Sequence, residues 1–214
     1  MCFNKEVTAS AEFTPKNMSG TVDVTFTFDG SSLKGKEVVV FETLKYHNRE
    51  VAYHQDLKDD GQTIFFPEIG TTAKDSETKI GVSNPDKSVT LVDTVSYEGL
   101  RPGLEYKVTG TLMDKATGNA VQNVTAETTF TPAKSKGTVD VTFTFNGKSL
   151  EGSTVVVYET LTYKGIELAD HKNLQDDGQT IYFPDIWTTA KDTEFDDHIS
   201  MADEDVTIVD KLSY

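Results

Sequence analysis

The sequence predicts an all-β fold of tandem immunoglobulin-like β-sandwich repeats, and three observations lead to it. Short segments rich in Val, Thr, Phe and Ile alternate apolar with polar residues, as a half-buried strand does. Turn formers such as Asp-Gly and Asn-Gly bound these segments at roughly the 8 to 12 residue spacing of a sandwich, and no stretch sustains the period of a helix. The chain also repeats itself: GTVDVTFTFDGSSLKGKEVVVFETL from Gly20 returns as GTVDVTFTFNGKSLEGSTVVVYETL from Gly137, a displacement of 137 − 20 = 117 residues. That period is close to the commonest domain size.

The elements follow in chain order. TVDVTFTF (21–28), EVVVFETL (37–44) and QTIFFPEI (62–69) read as strands. IGTTAKD (69–75) and VTLVDTVSY (89–97) open the next unit, and they return as IWTTAKD (186–192) and VTIVDKLSY (206–214). LEYKVTGTLMD (104–114) contains a strand, Lys115 to Asn119 turns, and AVQNVTAETTFT (120–131) continues extended. The 117-residue alignment pairs Met1 with Gly118 and Tyr214 with Tyr97, so residues 98–117 occur once. The sequence therefore predicts a partial repeat over 1–66, a complete repeat over 67–184 and a second partial repeat over 185–214. Pro67 and Pro184 precede the Thr-Thr segments, where they stiffen a short linker.

Composition narrows the function. A net charge of −15 opposes binding to nucleic acid, whose phosphates it would repel. No run of about 18 apolar residues crosses a membrane. Cys2 is the one cysteine, so no disulfide framework is possible. Small extracellular β domains without disulfides need another means of stabilisation. The acidic pairs Asp59–Asp60, Asp176–Asp177 and Asp196–Asp197 read as turns and solvated faces, because their spacing matches no EF-hand loop. His47 and His198 have no counterparts and read as surface residues; Trp187, in the position of Gly70, is expected to pack at a junction between repeats.

Five side chains of the complete repeat have the types that a self-acylation needs: Thr71, Asp93, Glu159, His171 and Gln179. Thr71 falls in the first strand of the unit and Gln179 in the last, so a bond between them would clasp the domain. His171 precedes an Asp-Asp-Gly turn and Gln179 follows it, which would let the imidazole meet the carboxamide across a bend. The imidazole would take the hydroxyl proton of Thr71, and attack on the Gln179 carboxamide would give an ester and ammonia. Asp93 and Glu159, if buried together, could not both ionise comfortably; one would stay protonated and donate to the developing oxyanion or the leaving ammonia. Ile69, Ile181, Tyr182 and Phe183 would keep the bond dry.

With those residues in hand, the chain resembles the Thr–Gln ester-bond (VaFE) repeats of Gram-positive cell-surface adhesins and pilus-like stalks. The matching signatures are IGTTA with Thr71 first of its pair, VDTVSYEGL with Asp93, VVVYE with Glu159, and His171 followed eight positions on by Gln179 and then Thr180. The resemblance implies an intramolecular Thr71–Gln179 ester, His171 as base, and Asp93 with Glu159 as a proton-sharing acid pair. It also implies an extracellular, wall-anchored stalk module with no cofactor and no metal. Its partners would be neighbouring repeats and, through other domains, a host-surface ligand. The partial repeats match piecewise, with Glu42, His54 and Gln62 in the first and Thr188 and Asp210 in the last. Neither closes its own bond, and docking of one molecule's tail on another's head would still lack the counterpart of residues 98–117. Two other functions were weighed against the stalk: a ligand-binding adhesin module and a turnover Thr/His hydrolase. The hydrolase would need an open pocket and would not be expected in several copies.

Overall fold

A computed structural model describes residues 6–202 and 204–214. Cys2 and Met1 lie outside the described residues. The chain divides into two compact units, Met1–Lys34 and Gly35–Tyr214. In the first unit the described residues form no strand and carry one 3-10 turn at Ser31–Leu33.

In the second unit, β1 (Lys36–Val39) pairs antiparallel with β4 (Thr63–Phe66), and β2 (Glu42–Tyr46) with β3 (Arg49–His54). The complete repeat holds β5 (Glu68–Asp75), β6 (Val89–Glu98), β7 (Tyr106–Asp114), β8 (Ala120–Phe130), β9 (Gly137–Phe145), β10 (Thr154–Tyr163), β11 (Ile166–His171) and β12 (Thr180–Tyr182). They form two antiparallel sheets, β5-β6-β9 and β11-β10-β7-β8, the second joined by β12 alongside β10. The last hairpin is β13 (Trp187–Asp192) with β14 (Ile208–Ser213). The fold is thus all-β, a tandem array of immunoglobulin-like sandwich repeats. Among the described residues no helix is long and apolar enough to cross a membrane.

Period-two alternation builds the core. In β6 the buried positions are Val89, Leu91, Asp93, Val95 and Tyr97; in β7 they are Tyr106, Val108, Gly110 and Leu112. In β9 the inward residues are Val141 and Phe143, and in β10 they include Val155, Val157, Glu159 and Leu161. These apolar side chains form one cluster between the sheets. Two acids therefore stand in register with the core residues, one from each sheet.

Several sequence expectations are modified. TVDVTFTF forms β9 at 138–145 but no strand at 21–28. The reason is pairing: β9 is held along its whole length by β6, and the residues ahead of Gly20 contain no counterpart of β6. EVVVFETL splits into β1 and β2, whereas its counterpart runs unbroken as β10. That strand has β7 as a neighbour over eight positions, from Val155 opposite Asp114 to Thr162 opposite Lys107. QTIFFPEI divides at Pro67, which lacks the N–H a ladder needs. His47 and Lys164 do share a role: each begins a two-residue hairpin turn with positive φ, His47-Asn48 and Lys164-Gly165, as the right-handed twist of the flanking strands demands. Trp187, at the start of β13, is 58% exposed.

Candidate functional site

The site is assembled where β5, at the edge of one sheet, lies against β11, β12 and the 3-10 turn Asp177–Gln179. Gln179 therefore sits in the turn before the last strand, a correction to its expected place within that strand. Asp93 faces inward because it shares the face of β6 with Leu91 and Val95. Glu159 faces inward because it shares the face of β10 with Val157 and Leu161. Asp93, Glu159 and Gln179 are all 0% exposed, and Thr71 is half-buried in β5. The register partner of Glu159, Gly110, has no side chain, and the ring of Phe143 packs into the space a Cβ there would take.

Two hydrogen bonds join four of the five residues in pairs. The Thr71 hydroxyl donates to Glu159 Oε2 at 3.2 Å, and the Gln179 carboxamide Nε2 donates to Asp93 Oδ1 at 3.4 Å. His171 is the register partner of Glu159 across the β10–β11 ladder, so the two side chains share a face. The imidazole is also near enough for its charge to bear on Asp93.

Electrostatics define the acid pair. Burial, then the hydrogen bond to Asp93 and the charge of that group, push the Glu159 carboxyl up to about 11. Burial also raises Asp93, opposed by the hydrogen bond from Glu159 and by His171. Glu159 is therefore the protonated partner at neutral pH and Asp93 the acceptor, since two desolvated carboxylates in contact would repel. The shared proton accounts for Glu159 Oε1 and Asp93 Oδ2, buried atoms that otherwise lack partners. The third such atom is Gln179 Oε1, the carbonyl oxygen on which negative charge would develop during attack.

Of the residues expected to keep the bond dry, Ile69, Ile181 and Phe183 are buried. Tyr182 is a correction: it is 48% exposed, because alternation in β12 turns it outward between Ile181 and Phe183.

The partial repeats hold the same residues in the same local hairpins, but less buried than in the complete repeat. Glu42 pairs with His54 as Glu159 does with His171, yet the His54 side chain is 53% exposed against 25% for His171. Gln62 follows its turn as Gln179 does. Thr188 and Asp210 lie exposed in the β13–β14 hairpin, which reproduces the β5–β6 register, Ala190 opposite Asp210 as Ala73 is opposite Asp93.

Sequence reasoning took Asp176 for a solvated turn residue and passed over Asp75. Asp176 Oδ2 lies 2.7 Å from His171 Nε2. Asp75 Oδ1 accepts the backbone N–H groups of Glu77 and Thr78, and its Oδ2 accepts the Ser83 hydroxyl at 2.7 Å. Asp192 repeats that brace with Glu194, Phe195 and Ser200. The signal in each case was recurrence at 117 residues of an acid at fixed distance from a polar partner. Among the described residues no group of three or more His, Cys, Asp and Glu could hold a metal ion.

The site thus sets a threonine hydroxyl and a glutamine carboxamide against two buried carboxyls within a two-sheet β repeat. The model of the T-Q ester bond containing domain matches residues 3–66 and again 67–183, and the chain belongs to that family. Two crystal structures of a bacterial adhesin from Mobiluncus mulieris containing intramolecular disulfide, isopeptide and ester bond cross-links are similar to this chain. They are 17% identical over 67% of this chain and 76% of theirs, with TM-scores of 0.46 and 0.49. A putative beta-galactosidase from Bacteroides fragilis is similar at 14% identity over 51% of this chain and 17% of its own, with a TM-score of 0.39. No curated protein matches the chain.

Proposed function

We propose that this chain is a stalk segment of a bacterial surface adhesin, anchored to the cell wall, whose complete repeat is closed by a Thr71–Gln179 ester that the domain makes for itself once. One observation supports this reading above the others: nucleophile and electrophile are hydrogen-bonded to the two members of a single buried acid pair, Thr71 to Glu159 and Gln179 to Asp93.

The chemistry balances without a cofactor. His171 takes the Thr71 hydroxyl proton as Oγ1 attacks the Gln179 carboxamide carbon. Protonated Glu159 stabilises the oxyanion that forms on Oε1, in a site from which water is excluded. The C–N bond breaks, the nitrogen takes up the proton that His171 received and leaves as ammonia, and an ester remains. Enforced proximity contributes on the order of 7 to 11 kcal/mol for well-aligned groups. The product occupies the site permanently, so there is a single turnover.

The role follows from where the bond would fall. Thr71 lies in β5, which opens the repeat, and Gln179 immediately precedes β12, which closes it. Tension entering through Pro67 and leaving through Pro184 would pass through the ester and bypass the hydrogen-bonded ladders between.

Intact-mass measurement on denatured protein tests the reading. The chain should be lighter than its sequence by one ammonia, with a linked peptide pair containing Thr71 and Gln179, and Gln179→Ala should restore the full calculated mass. A well-folded wild-type chain of unmodified mass would overturn the proposal.

A further inference from the structure

We infer that the connection between β5 and β6 is a preformed clasp for the last strand, and that Gly81 and Asp75 are positioning residues that seat β12 so that Gln179 meets Thr71. The inference rests on the ester reading above and extends it to a segment outside the five residues.

The clasp is a second pairing of β12. That strand has three residues and lies antiparallel to β10 on one side, opposite Thr154, Val155 and Val156. On its other side Val82 runs parallel to Tyr182. The Tyr182 N–H donates to the Gly81 carbonyl and the Ser83 N–H donates to the Tyr182 carbonyl, both at 2.9 Å. Thr71 lies in β5 just ahead of this connection, and Gln179 lies directly ahead of β12. The clasp therefore joins by hydrogen bonds the two segments that the ester would join covalently.

Gly81 sets the distance. A Cβ there would stand 2.7 Å from the Thr180 carbonyl oxygen, so a side chain would push back the strand beside Gln179 by on the order of 1 Å to reach ordinary contact. Asp75 sets the shape. It is buried at the end of β5, where Oδ1 accepts the N–H groups of Glu77 and Thr78 and Oδ2 accepts the Ser83 hydroxyl. Its own N–H donates to the Ile80 carbonyl, and the Thr78 hydroxyl donates to the Val82 carbonyl at 2.6 Å. The backbone groups that grip Tyr182 are thus fixed from within the connection itself.

The same frame forms in the β13–β14 hairpin, which among the described residues pairs with no counterpart of β12. Asp192 accepts from the N–H groups of Glu194 and Phe195 and from the Ser200 hydroxyl, and its N–H donates to the Asp197 carbonyl. Each contact stands 117 residues after its counterpart. His198 takes the place of Gly81 there, so the frame does not need the glycine, whereas the close approach does. A receptor built before its strand arrives reduces the cost of bringing electrophile to nucleophile.

Two variants and a control test the clasp. Full-length chain made by cell-free synthesis, quenched in denaturant at intervals and weighed intact, should lose its ammonia about 10²-fold more slowly as Gly81→Ala than as wild type, the factor that a misplacement of roughly 1 Å can cost. That factor should be the same at every pH, since the clasp moves the electrophile without changing a titrating group. Ser83→Ala, which loosens the connection but keeps its backbone pairing, should be slowed by a smaller factor. Val124→Ala, a core truncation in β8 at the far edge of the other sheet, should close at the wild-type rate although it lowers the thermal midpoint. In a Gln179→Ala background, which leaves the site unreacted, the amides of Ser83 and Tyr182 should exchange as slowly as those of β10, and faster once Gly81→Ala is added.

Closure of Gly81→Ala at the wild-type rate would overturn the inference. Slowing in Val124→Ala equal to that in Gly81→Ala would also overturn it, because stability alone would then set the rate. Should Gly81→Ala fail to fold, exchange in the Gln179→Ala chain decides: slow exchange at Ser83 and Tyr182 upholds a clasp formed before the bond, and rapid exchange refutes it. If wild type itself loses no ammonia, the ester reading fails, while the exchange still decides whether the connection holds β12.

Discussion

Asp93 and Glu159 stand on opposite sheets of the sandwich, 66 positions apart in sequence, and meet in the core as one carboxyl pair with a shared proton. Each occupies a position that its strand's alternation reserves for an apolar side chain. A core that accepts two acids gives up packing energy and has to hold them neutral or hydrogen-bonded.

The first prediction concerns pH. Glu159 releases its proton near 4.5 when exposed and near 11 in the fold, raised mainly by burial. Between those values the folded chain keeps a proton that the unfolded chain has lost. The contribution to stability is therefore complete below about 4.5 and declines as pH rises toward about 11. In a Gln179→Ala background, urea midpoints should fall with increasing pH, and adding Glu159→Gln should flatten the decline. Equal slopes in the two proteins would contradict the assignment of the proton.

The second concerns the closed loop. An ester from Thr71 to Gln179 encloses 179 − 71 = 108 residues. Loop entropy then contributes about 4.7 kcal/mol, as for a covalent loop of about 100 residues. Gln179→Ala should lower the thermal midpoint of the complete repeat by on the order of 20 °C, measured by calorimetry. A fall of only a few degrees would mean that the loop is not closed in wild type.

The third tests the close approach at Gly110. A Cβ there would clash with the ring of Phe143, which is buried in the core. Gly110→Ala should cost about 1 to 3 kcal/mol in a denaturant titration. A loss below the error of that titration would show that the ring moves freely.

The fourth tests the brace between β5 and β6. Asp75→Ala strands the N–H groups of Glu77 and Thr78 and the Ser83 hydroxyl, and should cost about 1 to 3 kcal/mol. Ser83→Ala removes one of the three contacts and should cost less. Amide exchange in residues 76–83 should quicken in both variants, and protection equal to wild type would refute the brace.

Much of this was legible in the sequence because alternation and repetition are local signals. The period-two pattern of VTLVDTVSY places Asp93 beside Leu91 and Val95, and that of VVVYETL places Glu159 beside Val157 and Leu161. What pattern could not give was pairing. TVDVTFTF has the same residues at 21–28 and 138–145, yet only the copy lying beside β6 becomes a strand. Nor could it separate the two acids of the Asp176–Asp177 turn. They look alike as solvated turn residues, but only Asp176 reaches the imidazole, since that depends on the direction of the turn's first carboxylate. The outward Tyr182 was misjudged for a related reason: Pro184 and a three-residue strand hide the alternation that turns it away from Ile181 and Phe183.

The span between Thr71 and Gln179 carries one more consequence. It includes the exposed hairpin tips at Lys164-Gly165 and Thr117–Asn119, the kind of sites at which secreted proteases nick a chain. Once the ester is closed, a single cut at either tip opens a ring without dividing the molecule, and both fragments stay attached to whatever lies beyond them. Shedding this repeat would take two cleavages, or one outside the ring, so digestion in the host environment would be directed to the short segments around Pro67 and Pro184.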